Sequence, residues 1–323
     1  MNTARAYGAI AMSAVLLALL PMAVHSNTII NALVTAMIIA LAAQGWNLLA
    51  GYGGQFSFGH AAFFGTGAYG NAILQTRYGI NAYSAMLAAT AIGAMVGAVI
   101  GYLSFRSGLR GSYFALITLA FAEVFRIIAN ATPLTGGAAG TLIKLKLSAA
   151  NFQFASRAIY FWIILALVVA AMLLMRRIER SRFGVYLVAV RENENSAAAL
   201  GVDTLTVKLK AITLSAGLTA LAGAFYVQYF LFVDSSIAFG TWISIEALLA
   251  PIVGGLGTVF GPLLGALALY FLGEFAKAIA GRIPGIDLAL FGILLVLTVA
   301  FARHGLQGIL TGLSQAWRTR RPA

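Results

Sequence analysis

Runs of about 20 apolar residues, separated by short polar or glycine-rich breaks, dominate this chain, and a helix of that length spans the roughly 30 Å hydrocarbon core of a bilayer. On this pattern the sequence predicts about ten spans, near 8–25, 28–50, 58–76, 82–105, 112–130, 159–175, 207–231, 242–256, 261–280 and 286–303. The runs are too long and continuous for the alternating strands of a barrel, and backbone groups in lipid must bond within their own segment. The fold class is therefore all-α: a polytopic integral membrane protein with glycine- and proline-broken segments, forming a single transmembrane domain over residues 1–323. The first apolar run, Gly8 to Val24, ends in Met22-Ala23-Val24-His25-Ser26, a poor cleavage site, and reads as a retained helix.

Glycines at intervals of four, Gly93, Gly97 and Gly101, and again Gly257, Gly261 and Gly265, give two helices smooth faces for close backbone approach. Two other regions interrupt the helical pattern. One runs from Gly51 to His60 and contains Gly53 and Gly54; the other runs from Pro251 to Pro262 and contains Gly254, Gly255 and Gly257. Both carry Gly-Gly followed by Phe-Gly, and apolar segments interrupted in this way in two halves of a chain point to the broken helices of a transporter. A third interruption is charged. Residues 176–206 form a polar island, in which Phe183 to Arg191 reads as one helix, Asn193 or Asn195 caps a second short one, and Gly201 ends it. Ala197, Ala198 and Leu200 give the short helix an apolar side suited to a groove on another protein.

Composition narrows the chemistry. The chain is 61% hydrophobic and 9% charged, against about 25% charged in soluble domains. Its net charge of +12 sits in loops, where basic residues orient spans against the cytoplasm and do not signal nucleic acid. Placing both termini inside sends most of the 21 basic residues, including Arg106, Arg110, Arg176, Arg177, Arg180, Arg182, Arg191, Lys208 and Lys210, to the cytoplasmic side. Without cysteine there is no disulfide framework, thiolate cluster or cysteine nucleophile. The three histidines have no ligand-like spacing, so no metal site is expected, and no nucleophile–base constellation or phosphate-binding loop marks an enzyme. Gly65-Thr66-Gly67-Ala68-Tyr69-Gly70 matches a dinucleotide fingerprint only formally, because it lies within an apolar helix. No cofactor is expected in this chain. Polar residues in or beside spans near the breaks, namely Gln44, Asn47, Ser57, His60, Glu123 and Glu246, are the candidates for a solute path, with Glu123 paired to Arg126 three residues on.

Read in order, four stretches carry a resemblance. Arg191-Glu192-Asn193-Glu194-Asn195-Ser196-Ala197-Ala198-Ala199-Leu200-Gly201-Val202, Gln44 to Gly65, Gly111 to Glu123 and Gly254 to Pro262 together resemble the permease subunits of Liv-type ABC importers for branched-chain amino acids, specifically the longer of that family's two permeases. The resemblance implies a transport subunit without its own nucleotide site in the bacterial inner membrane. It would pair with a LivH-like permease and dock two cytoplasmic ATPases that use Mg-ATP. An extracytoplasmic binding protein would supply substrate. Docking would fall to Arg191, Glu192, Asn193, Glu194, Ala197, Ala198, Leu200 and Gly201. The departure from the general importer motif is local: Glu194 is separated from Ala197 by Asn195 and Ser196, which shifts the docking register. A secondary transporter or channel acting alone is the competing expectation, since broken spans and buried acids also serve those proteins.

Overall fold

A computed structural model describes residues 3–23 and 26–280, then 286, 289, 292–293, 296 and 305–308. The tenth predicted span, 286–303, lies largely outside the described residues. The chain forms α1 (Thr3–Ala23), α2 (Asn27–Trp46) continued by a π-helical turn (Asn47–Tyr52), α3 (His60–Thr76), α4 (Ala82–Arg106) and α5 (Gly111–Ala131). After an irregular connection holding β1 (Thr141–Leu142) come α6 (Arg157–Glu179), α7 (Arg182–Glu192), α8 (Glu194–Ala199) and α9 (Thr204–Phe230). The last described elements are β2 (Phe232–Val233), α10 (Ser235–Ala238), α11 (Thr241–Gly254) and α12 (Gly261–Ala280). Among the described residues, six helical segments are long and apolar enough to cross a membrane: those at 27–52, 82–106, 111–131, 157–179, 204–230 and 235–254. The molecule is an all-α, multi-pass membrane protein.

Two helices form the axis of the bundle. α2 is apolar on nearly every side, as suits a helix whose residues are all buried from Ala36 onward, and packs against α6, α9, α11 and α12 with Val34, Met37, Leu41 and Trp46 buried. α9 packs against α2, α3 and α4. The glycine series on α4 makes that last contact possible. Side chains added at Gly93, Gly97 and Gly101 would run into Ala220, Ala216 and Ile212 of α9. Gly261 and Gly265 likewise seat α12 against the backbone of Gly255 and Ala250, whereas Gly257, expected on the same helix face, lies in the turn before α12 at φ +68°. α4 turns its other face outward, where Leu87, Met95, Val99 and Leu103 are exposed for lipid or another subunit.

At one end of the bundle the connection after α5 is ordered by pairing that the hydrophobic pattern did not predict. β1 pairs antiparallel with β2, Thr141 opposite Val233 and Leu142 opposite Phe232. The Gln228 amide accepts from Gln75 at 2.8 Å and donates to the Asn151 carbonyl at 2.9 Å, tying α3 and α9 to this cover. A cleft of about 470 Å³ opens beside it, lined by Gln75, Asn81, Lys144, Lys146, Asn151 and Gln153 among others.

Candidate functional site

The opposite end gathers both glycine breaks and the polar island. α2 ends where its hydrogen bonding loosens into the π turn, Gly54 then takes φ +69°, and helix resumes only at His60. Between α11 and α12 the chain breaks at Gly255 and Gly257, whose φ values are +137° and +68°. Asn47 clamps the second break to the first. Its side-chain carbonyl accepts from the Gly257 amide at 2.8 Å and its amide donates to the Thr258 carbonyl at 2.9 Å. One turn earlier, Gln44 donates to the Val259 carbonyl at 2.8 Å. These bonds satisfy backbone groups that the breaks leave without helical partners inside an apolar bundle.

The remaining polar residues divide. Ser57 and His60 lie fully buried in the first break: the Ser57 hydroxyl accepts from the Gly59 amide, its carbonyl accepts from Trp46 at 2.7 Å, and a His60 ring nitrogen lies 2.9 Å from the Ser215 hydroxyl. Gln44, Asn47, Ser57 and His60 are thus brought together around the breaks. Glu123 is not with them. It lies on α5, with its side chain 43% exposed, in a bidentate pair with Arg126 at 2.5 and 2.9 Å. Glu246 stands apart on α11, in a cavity of about 20 Å³ with Ala36, Ile39, Ala266, Leu269 and Tyr270, room for about one water.

The polar island is a bracket of short helices, each of which begins on a stabilising side-chain cap. Ser181 accepts from the Gly184 amide at 3.2 Å, Asn193 from the Ser196 amide at 2.9 Å, and Asp203 from the Thr206 amide at 3.0 Å. The Thr206 hydroxyl also bonds Asp203, and together the Thr206 hydroxyl and amide hold that carboxyl below its ordinary range, so the cap stays charged near neutral pH. Gly201, at φ +86°, ends α8 in the left-handed conformation that glycine adopts without cost. The bracket is anchored on three sides. Tyr52 donates to Glu179 at 2.7 Å, with Arg176 on the same carboxylate at 2.6 Å. Glu194 takes Lys208 at 2.5 Å and Arg110 at 3.2 Å. Lys208 is only 4% exposed and lies 4.9 Å from the centre of the Phe105 ring.

The eight residues marked for docking therefore do not all face outward. Arg191, Glu194 and Ala197 turn inward: Arg191 donates to the Gly51 carbonyl, Glu194 pairs with Lys208, and Ala197 is buried. Asn193 spends its side chain on the cap. Arg191 and Asn193 remain exposed despite those bonds, Glu192, Ala198, Leu200 and Gly201 are exposed with no bond back into the bundle, and Leu200 stands out at 87%. Spacing on α8 could have separated Ala197 from Ala198, but Arg191 and Glu194 could not be sorted, because their partners are remote in sequence.

Replacing Lys208 with methionine leaves Glu194 facing the more exposed Arg110, and we expect a loss of about 1–3 kcal/mol of stability, the cost of leaving a largely buried acceptor short of a partner. Thermal unfolding of the detergent-purified protein measures it. An unchanged midpoint would mean that the pair contributes nothing to anchoring α8.

Apolar spans, broken helices and a capped charged bracket define a multi-pass helical membrane protein. The family described as branched-chain amino acid transport system / permease component matches residues 28–299, and the chain belongs to it. It is 29% identical over 282 residues to the high-affinity branched-chain amino acid transport system permease protein LivM of Escherichia coli strain K12, a match covering 80% of this chain and 65% of that protein. The namesake in Salmonella typhimurium strain LT2 is 29% identical over 266 residues, covering 75% of this chain and 62% of that protein. The autoinducer 2 import system permease protein LsrC of Salmonella paratyphi B is 33% identical over 146 residues, covering 43% of this chain and 39% of that protein. The chain spans a little under two thirds of the length of the two LivM relatives it matches. No solved structure matched.

Proposed function

We propose that this chain is the LivM-type permease subunit of an ATP-binding-cassette importer, forming with a LivH-like permease the pathway for uptake of branched-chain or related amino acids. Two cytoplasmic ATPases would supply the work from Mg-ATP, and an extracytoplasmic binding protein would deliver the solute. The chain would cross the bacterial cytoplasmic membrane about ten times with both termini inside, placing residues 176–206 at the inner face as the basic residues favour. One observation carries this reading beyond family membership: a bracket capped at each helix start presents an apolar tip, Ala198 and Leu200, away from the bundle. A carrier working alone has no need of such a tip, whereas a subunit driven from outside needs a stiff one, because a floppy loop would absorb the push.

Uptake of labelled leucine, glutamate and urea, with and without this chain in an otherwise complete system, tests the reading and reports the substrate class. Leucine uptake that requires both this chain and an intact ATPase supports it. Uptake by this chain alone on an ion gradient would replace it with a secondary carrier.

A further inference from the structure

Arg191 is the one residue of the bracket whose side chain reaches both breaks. Its guanidinium donates to the Gly51 carbonyl through Nη1 at 2.9 Å, while Nε and Nη2 lie against the Glu192 carboxylate at 3.1 and 2.7 Å, fixing the plane of the group. Two close approaches complete the seat. A β-carbon at Gly54 would lie 2.7 Å from Cγ of Arg191, so the arginine stem occupies the space a side chain would need there. A β-carbon at Gly257 would lie 3.5 Å from Nη1, placing the second break against the same guanidinium. The two breaks also meet backbone to backbone, since a β-carbon at Gly51 would come within 2.7 Å of the Gly257 amide nitrogen. Asn47 closes the junction from inside the bundle through its bonds to Gly257 and Thr258.

We infer that Arg191 is a positioning residue that latches the bracket to both broken helices, so that displacement of α7 and α8 moves the two breaks together. The inference rests on the importer reading and assigns Arg191 a task directed into the bundle, distinct from docking. An arginine suits it because its planar group offers several donors in fixed directions on a long apolar stem. A lysine reaches one carbonyl at a time. Methionine keeps the stem against Gly54 and provides no donor, so it removes the latch with little disturbance to packing.

The test uses the complete importer in proteoliposomes and reads solute molecules taken up per ATP hydrolysed, alongside the amount of ATPase that co-purifies. For Arg191→Met the ratio is expected to fall on the order of tenfold, the size of a typical coupling between sites, with the ATPases still bound. Arg191→Lys is expected to lie between that variant and the parent. A parental ratio in Arg191→Met overturns the inference. So does loss of the co-purifying ATPases, which would make Arg191 a docking residue. A different result, parental protein that transports without ATP, would overturn the importer reading itself and is seen before any variant is made.

Discussion

Aspartate in place of Ala198 is expected to lower ATP-driven uptake by about a hundredfold, near the upper end of measured couplings between sites, while the protein remains folded in the membrane. Ala198 is exposed on α8, beside Leu200 and on the side away from the buried Ala197, so the new carboxylate meets no part of this chain's own core. With α8 docking an ATPase as proposed, it would sit in an apolar contact, where an unpaired charge carries a full desolvation cost. Uptake assays with membrane-level quantification check the outcome. Parental transport by Ala198→Asp would remove α8 from the contact.

The second large effect concerns the bundle itself. Leucine at Gly97 is expected to prevent accumulation of folded protein, because its β-carbon alone would collide with Ala216 and would lie 3.2 Å from the Ile212 carbonyl. Overpacking a tight core costs about 1–3 kcal/mol for modest insertions, and here two helix backbones must separate. Gly217 provides the control. It lies on the same α9 surface, but a β-carbon there would meet only Ala94 at 3.5 Å, an ordinary contact. Alanine at Gly217 is therefore expected to be neutral or to stabilise by up to about 1 kcal/mol through helix propensity. Yield and thermal unfolding of the two variants in detergent read the contrast, and equal tolerance at both positions would mean that the four-residue glycine spacing does not form the α4–α9 seam.

The sequence was most legible where structure is set by neighbours along the chain. The described spans follow from unbroken apolar length, the α4–α9 seam from glycines every four residues, and the end of α8 from Gly201, all interactions closed within a turn or two, while the choice of Asn193 over Asn195 as the α8 cap was settled only by the fold. Glu123 and Arg126 are paired as their spacing suggested. The bonding partners of the buried polar residues were not legible. Gln44 bonds a carbonyl 215 positions away and Asn47 one 211 positions away, so no local pattern could show that these side chains secure the second break. Arg191 reaches Gly51 across 140 positions for the same reason. The π turn and the β1–β2 pair escaped as well: the first keeps the apolar composition of an ordinary span, and the second has two-residue strands far apart in the chain.

Absence of native cysteine makes the most direct test a clean one, since Leu200→Cys introduces a single thiol at the exposed tip. Its reaction with a membrane-impermeant maleimide can be followed in intact cells, in inside-out vesicles, and in such vesicles with the ATPase subunits bound. Labelling is expected only in inside-out vesicles, with protection there once the ATPases are present. Labelling from the outside of intact cells, or equal labelling with and without bound ATPases, would contradict the docking proposed for α8.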